Sequence, residues 1–280
     1  MAHARSDWLT ARLQRAAALC NSEPARAAAD VPLWLGIDLG TCDVVSVVVD
    51  GAGRPVAVCL DWADVIRDGV VVDFFGAVGI VRRHLATLER QLGRRFTHAA
   101  TSFPPGTDPR LSINVLESAE LIVTRVLDEP SAVADMLKPA RAAVVDIGGG
   151  TTGIAVVRDG RVAYSGDEAT GGHHISLTLA GNQRIALEEA EQMKRRRGGE
   201  IWPIVRPVYD KMAEIVARHI EGHEIDELWL AGGSAMLPGV KDLFKARFAR
   251  LEVHLPPHAI FMTPLAIAVS ALNEREANDA

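Results

Sequence analysis

Apolar and polar positions along the chain repeat one plan twice. Residues 33–49 read L-W-L-G-I-D-L-G-T-C-D-V-V-S-V-V-V, an apolar strand, an Asp-x-Gly turn and a β-branched second strand. Residues 144–157, V-V-D-I-G-G-G-T-T-G-I-A-V-V, follow the same plan, and overlaying the two puts Asp38 on Asp146 and Gly40 on Gly148. Each unit ends in a turn, at 50–53 and 158–161, and each is followed by a third strand, at 56–60 and 162–165. The chain therefore reads as two similar halves.

Helical spacing fills the segments between. Residues 8–20 place Leu9, Leu13, Ala16 and Cys20 on one face, and an Ala/Pro-bearing linker, 21–32, follows. Such a helix either packs on its own domain or docks into a groove on a partner. Residues 68–74 read as an extended lead into a helix whose Val78, Val81, Leu85, Leu88 and Leu92 form a core-facing stripe. A strand at 96–103 stops at Pro104-Pro105-Gly106, a helix covers 111–120, and a strand at 121–127 runs into a helix with Pro130 near its first turn. In the second half helical stretches follow His173-His174 and run through 181–197. Val208, Met212, Ile215 and His219 mark another buried helix face, a strand spans 227–231, and a helix starts at 239–240.

Composition narrows the picture. The 280 residues suffice for one large or two medium domains, and the duplication favours two. A net charge of −6 offers no general attraction to nucleic acid or acidic membranes, and the basic run at 194–197 reads as a solvated helix end. Cys20, Cys42 and Cys59 have no CxxC spacing, which indicates neither a disulfide framework nor a zinc site and suits a reducing cytoplasm. No apolar run approaches bilayer length, and the N-terminus lacks the pattern of a secretion signal.

The candidate chemistry lies in the two turns. Gly148, Gly149 and Gly150 free the backbone and clear side chains from a ligand's path, so that their N–H groups can converge on an anion such as phosphate. Asp146, where the strand enters the turn, is well placed to hold the water shell of a magnesium ion riding on the phosphates. Two such turns facing across a cleft would grip a triphosphate and its metal from both sides. His173 and His174 are structural or pocket-lining residues.

Five stretches, in order, resemble the actin-like ATPase superfamily of actin, DnaK-type chaperones, MreB-type rod-shape proteins and sugar kinases. They are G-I-D-L-G-T at 36–41, D-G-V-V-V-D-F at 68–74, D-E-P-S-A at 128–132, D-I-G-G-G-T-T at 146–152 and L-A-G-G-S-A-M-L-P-G at 230–239. Within it the whole chain, including W-L-T-A-R-L-Q-R-A-A-A-L-C-N and H-A-A-T-S-F-P-P-G-T-D-P-R, is similar to the EutJ family of ethanolamine-utilisation proteins. The resemblance implies an α/β, duplicated ribonuclease-H-like, two-lobed fold. Its mixed five-stranded sheets are flanked by helices and its outer subdomains are reduced, since little sequence separates Leu60 from Asp68 or Arg197 from Tyr209. The implied division is an N-terminal helix and linker at 1–31, a first lobe at 32–140 completed by 262–280, and a second lobe at 141–261.

It further implies ATP and Mg2+ in the cleft and a chaperone-like aid to ethanolamine degradation. The clients would be ethanolamine-degrading enzymes or microcompartment components. The place would be the cytoplasm or a bacterial microcompartment, with the oligomeric state open. Residue by residue, Asp38 and Asp146 match the acids that hold magnesium through its waters, and Glu129 the glutamate near the metal and the attacking water. The amides around Gly40, Thr41, Cys42, Gly148, Gly149 and Gly150 match the phosphate contacts, with the Thr151 hydroxyl nearby. Glu191, Lys194 and Arg195 match the helix that holds ribose and adenine, and Gly232, Gly233 and Ser234 the floor under the base.

Three departures bear on rate. No lysine precedes Lys138, so the chaperones' γ-phosphate lysine is absent or its role passes to an arginine; Gly153 stands for an acid after the second turn; Met236 stands for an arginine on adenine. Such losses slow hydrolysis by orders of magnitude while binding survives. The chaperones' peptide-binding domain is also missing from the chain. A non-catalytic nucleotide-binding scaffold is the alternative, and an actin-like filament a further one that the trimmed outer subdomains disfavour.

Overall fold

The computed structural model of the protein describes residues 2–22, 31–67 and 70–278. Asp68 of the 68–74 stretch and positions 23–30 of the linker lie outside the described residues. Helix α1 (Ala2–Leu19) precedes an antiparallel meander of β1 (Leu33–Leu39), β2 (Asp43–Asp50) and β3 (Pro55–Trp62). A small hairpin, β4 (Ile66–Arg67) and β5 (Val70–Val71), leads to α2 (Phe74–Leu92), followed by β6 (His98–Phe103), α3 (Arg110–Ser118), β7 (Ile122–Asp128) and α4 (Glu129–Leu137). The second half opens with another meander, β8 (Arg141–Ile147), β9 (Thr152–Arg158) and β10 (Arg161–Glu168). It continues through α5 (Gly172–Gln183), α6 (Leu187–Arg196), α7 (Gly198–Ile220), β11 (Glu227–Ala231), α8 (Val240–Arg247), β12 (Glu252–His254) and α9 (Met262–Asn278).

The two five-stranded sheets have one plan, β3-β2-β1-β6-β7 and β10-β9-β8-β11-β12. In each, three antiparallel strands are followed by two parallel ones reached through helices, as parallel pairing requires. Both faces of each sheet are covered, so β2 and β9 are buried along almost their whole length instead of alternating. One core cluster packs the first sheet against α2 and α3, and another packs the second sheet against α5, α7 and α8. A third lies between the sheets and is built from α1, α4 and α9.

The helices of this central layer explain themselves by composition. In α9, Met262, Leu265, Ala266, Ile267 and Ala268 are all buried, the apolar-all-round character of a helix packed on more than one side. In α1, Leu9, Leu13 and Ala16 are wholly buried, Arg12 Nη2 donates to the Ala52 carbonyl at 2.7 Å, and Arg12 Nε to that of Gly53 at 3.0 Å. The apolar face of α1 is thus spent inside the chain, which removes the reading in which it docks into a partner's groove. The α2 stripe Val78, Val81, Leu85, Leu88 and Leu92 is buried as its spacing predicts, and Asp73 caps the helix by accepting from the Gly76 amide at 2.8 Å. Three elements go beyond what the sequence pattern marks. The helical stretch ahead of 197 begins at Gly172 and breaks where Arg184 turns left-handed at φ 56°. Helix α7 continues through Pro203 and Pro207. The short edge strand β12 has no pattern of its own. No helix of the described residues is long and apolar enough to cross a membrane.

Candidate functional site

Asp38 and Asp146 hold the same place in their sheets, each the last residue but one of the central strand, paired with Val45 and Gly153 respectively. Both open into one cavity of about 820 Å³ between the halves, a volume typical of small-molecule sites. Every residue that the resemblance matches to metal, phosphate, sugar or base lines it. From the first half come Asp38, Gly40, Thr41, Cys42 and Glu129, and from the second Asp146, Gly148, Gly149, Gly150 and Thr151. The far wall brings Glu191, Lys194 and Arg195 together with Gly232, Gly233 and Ser234.

The two turns approach closely. A Cβ built on Gly150 would lie 2.7 Å from Thr41 Oγ1, and one on Gly149 would collide with Cys42 Sγ, so only glycine allows the halves to meet here. The second turn is closed by the Gly148 amide donating to the Thr151 carbonyl at 3.0 Å. It is held from behind by three further bonds: the Gly172 amide to the Gly148 carbonyl at 2.9 Å, the His173 amide to the Gly149 carbonyl at 2.7 Å, and Ser234 Oγ to the Gly148 carbonyl at 2.9 Å. His174 accepts from the Gly171 amide through Nδ1 at 3.3 Å, and neither histidine ring lines the cavity, so their part is structural.

The acids at the centre are buried together. Burial first, then the charges of Asp43 and Asp146, push the Asp38 carboxyl up to about 8, against a hydrogen bond from Ser102 Oγ at 2.9 Å. Burial pushes Asp146 up to about 6, opposed by the Thr263 hydroxyl, which donates to its Oδ2. Glu129 lies well above its usual range through burial and then the charges of Asp38, Asp146 and Asp167. Acids crowded and desolvated in this way call for a cation. Among the described residues no three acid, histidine or cysteine side chains converge as direct metal ligands. A hard cation that keeps its water shell fits this arrangement; a dehydrated one does not.

The wall on the second half is knit by ion pairs. Glu191 binds Lys194 Nζ at 2.7 Å and Arg195 Nε at 2.9 Å, and Lys194 also donates to the Gly172 carbonyl at 2.8 Å. Arg195 lies 3.7 Å above the Trp62 ring, a cation–π contact between the halves at the mouth of the cavity. The basic run at 194–197 therefore lines the cleft and is not a purely solvated helix end. Tyr209 Oη donates to the Ser234 carbonyl at 2.6 Å and fixes the Gly232-Gly233-Ser234 turn from below.

Sequence reasoning missed several participants. Asp43 lies against Gly40, is pushed up to about 6 chiefly by burial, and is drawn the other way by Arg195. The overlay that pairs Asp38 with Asp146 also pairs Asp43 with Thr151, so a signal for it existed. Trp62, Ser102 and Thr263 carried none, because each reaches the site from a different element. Among the described cavity-lining residues of the first half none is cationic. Met236 also lines the cavity.

Comparison with known proteins places this architecture. The family model for cell division protein FtsA matches residues 143–270. The chain is 73% identical over 276 residues to the ethanolamine utilization protein EutJ of Salmonella typhimurium, covering 99% of this chain and 98% of that protein. It is 72% identical, with the same coverage, to EutJ of Escherichia coli strain K12. The crystal structure of EutJ from Carboxydothermus hydrogenoformans superimposes with a TM-score of 0.88 at 42% identity, covering 95% of this chain and 99% of that one. MreB5 of Spiroplasma citri bound to ADP matches with a TM-score of 0.70 at 15% identity over 88% of this chain and 98% of its own, a likeness of fold alone. The duplicated sheets, the facing acidic turns and the near-full-length identity agree: the chain belongs to the EutJ family of ethanolamine-utilisation proteins, within the actin-like ATPase superfamily.

Proposed function

We propose that the protein binds ATP with Mg2+ in the cleft between its halves, hydrolyses it slowly, and serves as a chaperone-like aid to ethanolamine degradation. The observation that carries the reading is the meeting of Asp38 and Asp146, from equivalent strands, at one cavity bounded by glycine turns. Asp38 and Asp146 would hold the metal through its waters, and the amides of the 40–42 and 148–150 turns would hold the phosphates. Magnesium, when bound, supplies charge neutralisation of the polyphosphate. Glu129 would accept a proton on its carboxylate from the attacking water. Glu191, Lys194 and Arg195 would orient the sugar and base, with the Gly232–Ser234 turn beneath. The relatives' name supports a part in ethanolamine utilisation, and the reading extends it to clients among ethanolamine-degrading enzymes or microcompartment components and to a cytoplasmic or microcompartment-associated place of action.

That no described first-half residue lining the cavity is cationic favours a second reading, a nucleotide-binding scaffold without turnover. Phosphate release in the presence of ethanolamine ammonia-lyase separates the two, since the scaffold gives none. The site itself is tested by Asp146→Ala. That variant is expected to lose Mg-ATP binding while staying folded by circular dichroism, and unchanged affinity would overturn the site.

A further inference from the structure

The two glycine-bearing turns share a backbone plan but not a charge. Their strand registers make them equivalent: Asp38 pairs with Val45 and Leu39 with Val44 in the first hairpin, as Asp146 pairs with Gly153 and Ile147 with Thr152 in the second. By that register Asp43 stands in the first turn where Thr151 stands in the second. The backbone carbonyls of both residues face the glycine that opens their turn, 2.9 Å from a Cβ built on Gly40 and 3.5 Å from one built on Gly148. The fold thus accepts a neutral hydroxyl side chain at this place, and the carboxylate of Asp43 is not a requirement of the turn.

Asp43 lines the cavity, with Oδ1 3.1 Å from the Cβ built on Gly40. Among the described residues its carboxylate takes part in no hydrogen bond or ion pair. Arg195 draws on it from the opposite wall, but that guanidinium is engaged by Glu191 at 2.9 Å and by the ring of Trp62, the residue paired with Asp43 across β2 and β3. A negative charge on a turn whose amides converge on phosphate repels a bare polyphosphate and favours one that brings a cation with it. The same polarity runs through the whole cavity. Its described first-half lining bears acids and no cation, while Lys194, Arg195, Arg196 and Arg197 all come from the second half.

We propose that Asp43 is the residue by which the cleft selects metal-complexed nucleotide over free nucleotide: its charge turns a bare triphosphate away from the first turn and accepts one that carries a divalent cation. This rests on the nucleotide-binding reading above and extends it from what is bound to the form in which it is bound. Asp43→Asn is isosteric and removes the charge, and Asp43→Thr gives the first turn the side chain that the second already carries. ATP affinity is measured by calorimetry in excess chelator and again in saturating magnesium, at pH 8, where a carboxyl raised to about 6 is ionised, with folding checked by circular dichroism. Both variants are expected to bind metal-free ATP about 10-fold more tightly than the wild type does, and Mg-ATP no more tightly, so that the preference for the metal complex falls about 10-fold. An unchanged preference overturns the proposal, whether neither affinity moves or both move by one factor, the latter being the mark of a residue that only shapes the turn or holds Arg195. Failure of both variants to fold overturns it too, since the carboxylate would then be structural. Wild-type protein that binds neither form of the nucleotide would instead sink the underlying reading, a result distinct from these.

Discussion

Asp38 is one of several central acids whose carboxyls burial raises. Its folded-state value, about 8, stands above the ordinary carboxylate value of 3.8, chiefly through burial. An acid raised on folding binds more protons folded than unfolded between those values. Its contribution to stability is therefore lost as pH rises from about 4 toward 8. Metal-free protein is expected to melt at a lower temperature at pH 8 than at pH 5, and Asp38→Asn to show a smaller difference, as read by calorimetric scans at both pH values. An equal pH dependence in the two proteins would contradict the burial of an uncompensated charge. At this scale the sequence was informative wherever one strand-and-turn signature carried the residue. Asp38, Asp146 and the glycines of both turns were legible because spacing alone places them. Ser102 and Thr263 were not, because each meets the site only after a different strand or helix has packed beside it.

Elements of the central layer divide in the same way. The α1 face of Leu9, Leu13 and Ala16 was legible as a stripe, but what it covers was not, since a stripe does not name its partner. Leu13→Ala is expected to destabilise the protein by about 2–5 kcal/mol in denaturant unfolding, as for a fully buried leucine. A loss below about 0.5 kcal/mol, typical of a surface site, would return α1 to the status of a detachable segment. Helix α7 was only half legible: its buried face from Met212 onward follows the period, but Pro203 and Pro207 hide the N-terminal part, which tertiary packing of Ile201 and Val205 holds helical. The Trp62–Arg195 contact joins elements of the two halves at the cavity mouth. Removing the ring with Trp62→Ala is expected to weaken Mg-ATP binding about 2–5-fold, the effect of 0.5–1 kcal/mol at an exposed cation–π pair, measured by equilibrium titration. Unchanged affinity would mean that the contact plays no part in holding the cleft closed.

The molecule as a whole is one motif used twice, and the duplicated Asp-x-Gly hairpin foretold the twin sheet order. The layer between the sheets was harder to foresee, because α1, α4 and α9 come from distant parts of the chain and meet only there. That layer sets the two turns face to face, and Thr263, in the first turn of α9, donates to Asp146 of the other sheet. Ligand-driven movement of one half against the other would require tighter binding to one arrangement than to another, and the closely apposed turns give such a preference a place to act. Everything functional depends on the cleft taking a metal–nucleotide. The most direct measurement is a calorimetric titration of the purified full-length protein with Mg-ATP, repeated in excess chelator. The expected result is saturable binding at one site per chain that weakens sharply when magnesium is withdrawn. No saturable heat up to millimolar Mg-ATP, or binding indifferent to the metal, would contradict it.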